Sequence, residues 1–119
     1  MKIIYANEKL KLRCTSLGEA QKFFGGEKSL AVKLLARINA LESASVLKDI
    51  IMTPPMRFHA LTGDKAGLFA IDMKTRRDPW RIILQPLDEE ENPYSPCRID
   101  EIANVVKIIE IEELSKHYE

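Results

Sequence analysis

The feature that most constrains this chain is a change of hydrophobic period at Pro54-Pro55. Before it, Leu30, Leu34, Leu35, Ile38 and Leu41 recur at helical spacing and predict a helix ending near Ser43, its apolar stripe in the core. Lys33 and Arg37 lie one turn apart on its other side and read as a solvated face. Two consecutive prolines must stop any helix that reaches them. Beyond them the spacing is that of strands: Met56–Leu61, a turn at Thr62–Lys65, Gly67–Lys74, a bend at Arg76–Pro79, then Trp80–Leu87.

The flanking segments complete the pattern. Lys2–Ala6 predicts a short first strand, and Asn7 caps a helix that begins at Glu8. Thr15-Ser16 breaks that helix, a second short one places Leu17, Ala20 and Phe24 inward, and Gly25-Gly26 ends it. Ser45 is the expected cap of a further turn through Leu47 and Ile51. Asp88–Asp100 holds two prolines and four consecutive acids without periodicity, so it reads as a loop insertion at about 88–100. Ile102–Glu112 is dense enough in Val and Ile for a last strand buried on both faces, and Leu114–Glu119 reads as a tail. The expected fold is α+β. An N-terminal strand and helices pack on one face of a twisted, mainly antiparallel sheet, in a single domain spanning 1–119.

Composition excludes several classes. Hydrophobic content of 45% and charged content of 30% fit a globular chain, and no apolar run approaches the roughly 20 residues of a membrane helix. No signal peptide is visible, which points to the cytoplasm and to no membrane partner. Cys14 and Cys97 have no CxxC and no metal-spaced histidine, so the reading is two reduced thiols, no metal and no cofactor. Net charge is zero, but residues 57–81 carry six Lys/Arg against three acids. A local basic face can hold phosphate, with weaker long-range steering than a basic protein has.

Chemistry concentrates in the same stretch. RNA is cleaved without a metal when its 2′-oxygen attacks the adjacent phosphorus. The 2′-proton must leave, charge on the phosphoryl oxygens must be neutralised, and the 5′-oxygen must be protonated. Histidine suits the proton transfers and arginine's planar fork suits the phosphate. His59 is the candidate for the first role; strand alternation puts it on one face with Arg57 and Leu61. Arg81, set between Trp80 and Ile82, faces either a substrate or an acid such as Asp64 or Asp72, because an arginine in an apolar strand needs a partner. If it faces substrate, alanine at 81 should leave the fold intact. Arg76 and Arg77 in the bend, with Lys65, Lys74 and Arg57, are candidate contacts to the RNA backbone.

The segment His59-Ala60-Leu61-Thr62-Gly63-Asp64, an apolar strand, and then Trp80-Arg81-Ile82 resembles the middle of the HigB-type killer proteins in the RelE/ParE superfamily. The order of elements resembles theirs over nearly the whole chain. The resemblance implies a toxin of a type II toxin–antitoxin pair: a ribosome-dependent mRNA endoribonuclease that inhibits translation. It implies as partners the ribosome with its mRNA and a small helix-turn-helix antitoxin of the HigA type, with operator DNA reached only through that antitoxin. Catalytic residues would be His59, Arg81 and Arg77. Two departures stand out. Thr62 occupies the place where close relatives carry lysine, and where many relatives end in Asp-Tyr-His this chain has His117-Tyr118 in reversed order. Those two residues are the candidates for stacking on a base and for the second acid–base group. The alternative is a relative that does no chemistry and acts by binding protein, as a gyrase poison or an antitoxin-binding regulator.

Overall fold

The computed structural model describes residues 1–75 and 77–116. Strand β1 (Lys2–Tyr5) leads to α1 (Glu8–Thr15), α2 (Leu17–Phe23), α3 (Lys28–Ser43) and α4 (Leu47–Ile51). A 3-10 turn at Pro54–Met56 then opens the sheet-forming half: β2 (His59–Ala60), a 3-10 turn at Gly63–Lys65, β3 (Phe69–Asp72) and β4 (Trp80–Leu87). The short helix α5 (Ile99–Ile102) and β5 (Ile108–Lys116) follow. The sheet order is β1-β5-β4-β3-β2, with β1 parallel to β5 and every other pair antiparallel. The protein is thus an α+β domain with a mixed, mainly antiparallel five-stranded sheet.

Local chemistry explains the helix starts. Asn7 Oδ1 accepts from the Leu10 amide at 2.8 Å, and Ser16 Oγ from the Glu19 amide at 3.3 Å, so each satisfies a donor that the first turn leaves over. For α4 the cap is not Ser45 as expected. The Asp49 carboxylate reaches back to the amides of Ser45 and Val46 at 2.9 and 3.2 Å, a charged acceptor where a hydroxyl was anticipated.

One face of the sheet makes the core. Phe69, Ile71, Ile82, Leu84, Ile109 and Ile111 bury against Leu10, Ala20, Leu34, Ile38 and Leu41 of the helices. Phe23 and Phe24 close one end against Trp80, edge to face at 5.3 and 5.1 Å between centroids. No helix among the described residues is long and apolar enough to cross a membrane.

Three boundaries differ from the sequence reading. The strand expected over Met56–Leu61 contracts to His59–Ala60, because the prolines continue into a 3-10 turn and Arg57 ends that turn in the left-handed region (φ 48, ψ 49). The strand expected over Gly67–Lys74 contracts to Phe69–Asp72. The last strand is Ile108–Lys116, not Ile102–Glu112: the Ile102 end of that apolar run belongs to α5, and Val105 is exposed. Leu114–Lys116 is strand rather than tail, and only Ile109 and Ile111 are buried in it, so one face is covered and not both. An unbroken apolar run carries no mark of where helix stops and strand starts. Strand β4, by contrast, has the expected bounds.

Candidate active site

The side of the sheet turned away from α1–α3 carries the candidate chemistry. In β3 and β4, Phe69, Ile71, Ile82 and Leu84 point to the helices, so Ala70, Asp72, Arg81 and Ile83 point the other way. Asp72 pairs with Arg81 across the ladder, and His59 pairs with Ala70, two residues from Asp72 on the same face. Diagonal neighbours of this kind stand roughly 7–8 Å apart. One sheet face therefore holds His59, Asp72 and Arg81 together, with Ala70, Asp72, Arg81 and Ile83 all buried on it.

Asp72 organises the cluster. It is 1% exposed, with Arg81 Nε 3.1 Å from its Oδ1 and Arg57 Nε 3.2 Å from its Oδ2. The Arg81 contact is one of charge rather than an aligned hydrogen bond. Arg81 itself is 5% exposed, and its Nη1 donates to the carbonyls of Asp78 and Trp80. The Asp78 carboxylate also accepts from the Trp80 amide at 2.9 Å, which fixes the backbone around Arg81. Two guanidinium groups share one carboxylate, so the triad keeps a net positive charge. Its accessible part is Arg57, whose side chain is 32% exposed.

Arg57 reaches Asp72 by a route the alternation rule does not foresee. A left-handed non-glycine residue costs roughly 1–2 kcal/mol, and such conformations persist where the surroundings hold them. The same backbone positions His59, whose Nδ1 lies 2.6 Å from the Arg57 carbonyl. A carbonyl only accepts, so Nδ1 carries the hydrogen, and the ring's other nitrogen, Nε2, is shut off from solvent.

Arg57 and His59 therefore meet on one face as expected, though through a turn rather than a strand. Arg81 has the Asp72 partner that was one of its two readings. The expectation that alanine at 81 leaves the fold intact does not survive this, because Asp72 would keep a single, more exposed partner. Lys65 lies over the same face but spends its charge on Glu113, at 2.6 Å. That hydrogen bond, then the charge of Glu113, raises the Lys65 pKa. Lys74 is half-buried and Arg77 exposed, in the connection between β3 and β4. Arg76, His117 and Tyr118 lie outside the described residues; Lys116, the last one described, stands opposite Trp80.

The sequence reading gave no role to three acids and one base. On β5, Ile83 pairs with Glu113 and Leu84 with Ile111, so Glu112 is the extra residue of a bulge. The bulge sets Glu112 beside Glu113 and Glu110, whose charges act on it. Oε2 of Glu112 is shut off from solvent and accepts no hydrogen bond among the described residues. Burial first, then a hydrogen bond and charge from Glu110, and then Glu113, push its pKa to about 7. Arg37, read as solvated, instead turns its guanidinium onto backbone carbonyls at the end of β3. Asp72 did have a signal: a lone acid in Phe69-Ala70-Ile71-Asp72-Met73 must find a partner if the strand is buried.

The acidic loop lies at the other end of β4. Six residues separate Arg81 from Leu87, about 20 Å at a strand's rise. There Asp88 Oδ1 accepts from the amides of Glu90 and Asn92, and Glu91 pairs with Lys2 at 2.7 Å.

No family model matches the chain, and no curated protein matches it. Among solved structures it is similar to a YoeB/ParE toxin from Agrobacterium tumefaciens, at 13% identity and a TM-score of 0.49, over 99% of this chain and 100% of that one.

Proposed function

We propose that this chain is the toxin of a type II toxin–antitoxin pair, a metal-independent endoribonuclease that cleaves mRNA on the ribosome and is neutralised by a helix-turn-helix antitoxin. The observation that carries the reading is the gathering of Arg57, His59, Asp72 and Arg81 on one sheet face, within the motif order that resembles the HigB-type killer proteins. Arg57 holds the phosphate, with Asp72 fixing its direction and Arg81 keeping the triad cationic. His59 takes the 2′-proton as the 2′-oxygen bonds phosphorus and the bond to the 5′-oxygen breaks. The leaving oxygen gains its proton from a second acid, for which His117 and Tyr118 are the candidates. Arg77 and Lys74 line the path of the RNA backbone, and Arg76 is the further candidate for contact with it. The products are a 2′,3′-cyclic phosphate and a 5′-hydroxyl, and no water is consumed.

One observation favours a second reading. Arg81 and Lys65 are both engaged inside the chain, in ion pairs with Asp72 and Glu113, which suits a scaffold that acts by binding protein. The two readings separate in a reconstituted translation assay. Nuclease action cuts mRNA only when ribosomes are translating it and leaves DNA supercoiling untouched. Intact mRNA together with inhibited gyrase would replace the first reading by the second.

A further inference from the structure

We propose that Arg37 is a positioning residue for the phosphate-binding pair Arg57–Asp72. The inference rests on the function proposed above and extends it to a residue on a different element. From α3, Arg37 Nε donates to the carbonyls of Asp72 at 2.9 Å and Met73 at 3.2 Å. Its Nη2 donates to the carbonyls of Pro55 and Lys74, both at 3.4 Å. Nε and Nη2 form one edge of the planar guanidinium, so a single rigid group spans two backbone segments far apart in sequence.

Those segments present the two halves of the ion pair. Pro55 belongs to the 3-10 turn that Arg57 terminates in the left-handed conformation, and Asp72 supplies the carboxylate. Lys74 continues the second segment toward the expected RNA path. Arg57 has no strand ladder to hold its backbone, since β2 begins only at His59. Arg37 substitutes for that ladder by tying the turn to the end of β3. An ammonium carries three donors at one point and cannot span both segments, so lysine is not an equivalent.

The test uses R37Q, R37K and the double variant R37Q/R57Q in the full chain. Readouts are mRNA cleavage in reconstituted translation, thermal melting, and exchange of the Arg57 Nε–H with solvent by NMR. R37Q should remain folded, lose about tenfold in cleavage because a misplaced contact is costly even at small displacement, and exchange Arg57 Nε–H faster. R37K should restore neither. The loss in R37Q/R57Q should not exceed that of R57Q alone, because both changes disable one unit. Additive losses, or an unchanged exchange rate in R37Q, would overturn the proposal. A wild-type chain that cuts no mRNA refutes the nuclease reading instead; Arg37 is then decided by the exchange rate alone, faster for and unchanged against.

Discussion

The two faces of β3 and β4 are built from the same backbone and hold opposite kinds of cohesion. Toward the helices, Phe69, Ile71, Ile82 and Leu84 are joined by non-directional apolar burial, in which each residue touches many neighbours. Away from the helices, Asp72 and Arg81 are nearly as buried but depend on one another and on Arg57. The first face tolerates change gradually. The second fails when one member is removed, because a charge left without its partner in a dry site is far costlier than a missing methyl group. A cluster retained at that cost, next to a histidine and a strained arginine, is where chemistry is most economically placed.

The largest test of this contrast is Arg81→Ala. It should destabilise by roughly 3–5 kcal/mol, the usual cost of breaking a buried pair from one side, read by urea denaturation. Replacing both partners, as in D72L/R81M, should recover most of that stability while cleavage stays lost. Recovery of cleavage in the double variant would show the charged face to be only a structural pair.

Arg57→Gln should follow in size but differ in kind. Removing one preorganised donor costs about 10²–10³ in rate, and the half-exposed position should keep the change in stability small. A variant that melts early yet cleaves normally would move Arg57 from the site to the scaffold. On the helix face, Ile82→Val should cost only about 0.5–1.5 kcal/mol and leave cleavage unchanged; an activity loss there would mean the two faces are coupled.

The smallest effect concerns Glu112. Its folded pKa of about 7 lies above the ordinary 4.5, so the folded state holds a proton the unfolded state has released between those values. Stability from this group is full below about pH 4.5 and declines as pH rises through 7. Glu112 is only half-buried, so screening keeps the change to about 1 kcal/mol or less. Glu112→Gln should flatten the slope of melting temperature against pH in this window. A slope unaltered by that change would assign it to other groups.

The sequence by itself determined whatever is decided within a turn or a strand. Asn7 and Ser16 cap helices because donor and acceptor lie three residues apart, and Trp80–Leu87 announces itself as a short apolar run between Pro79 and the acids that begin at Asp88. His59 and Arg81 stood out as candidates for the same local reason: polar groups in apolar strands demand partners. Tertiary structure alone decided who those partners are. Ladder register set Asp72, not Asp64, across from Arg81, and the bulge after Ile111 brought Glu112 beside Glu110 and Glu113. The prolines bent the chain so that Arg57 approached Asp72 through a left-handed backbone, and the packing of α3 brought Arg37 onto the carbonyls of two distant segments. Each of these contacts joins residues far apart along the chain. Their energies depend on burial and on exact register, and neither exists until the sheet has closed.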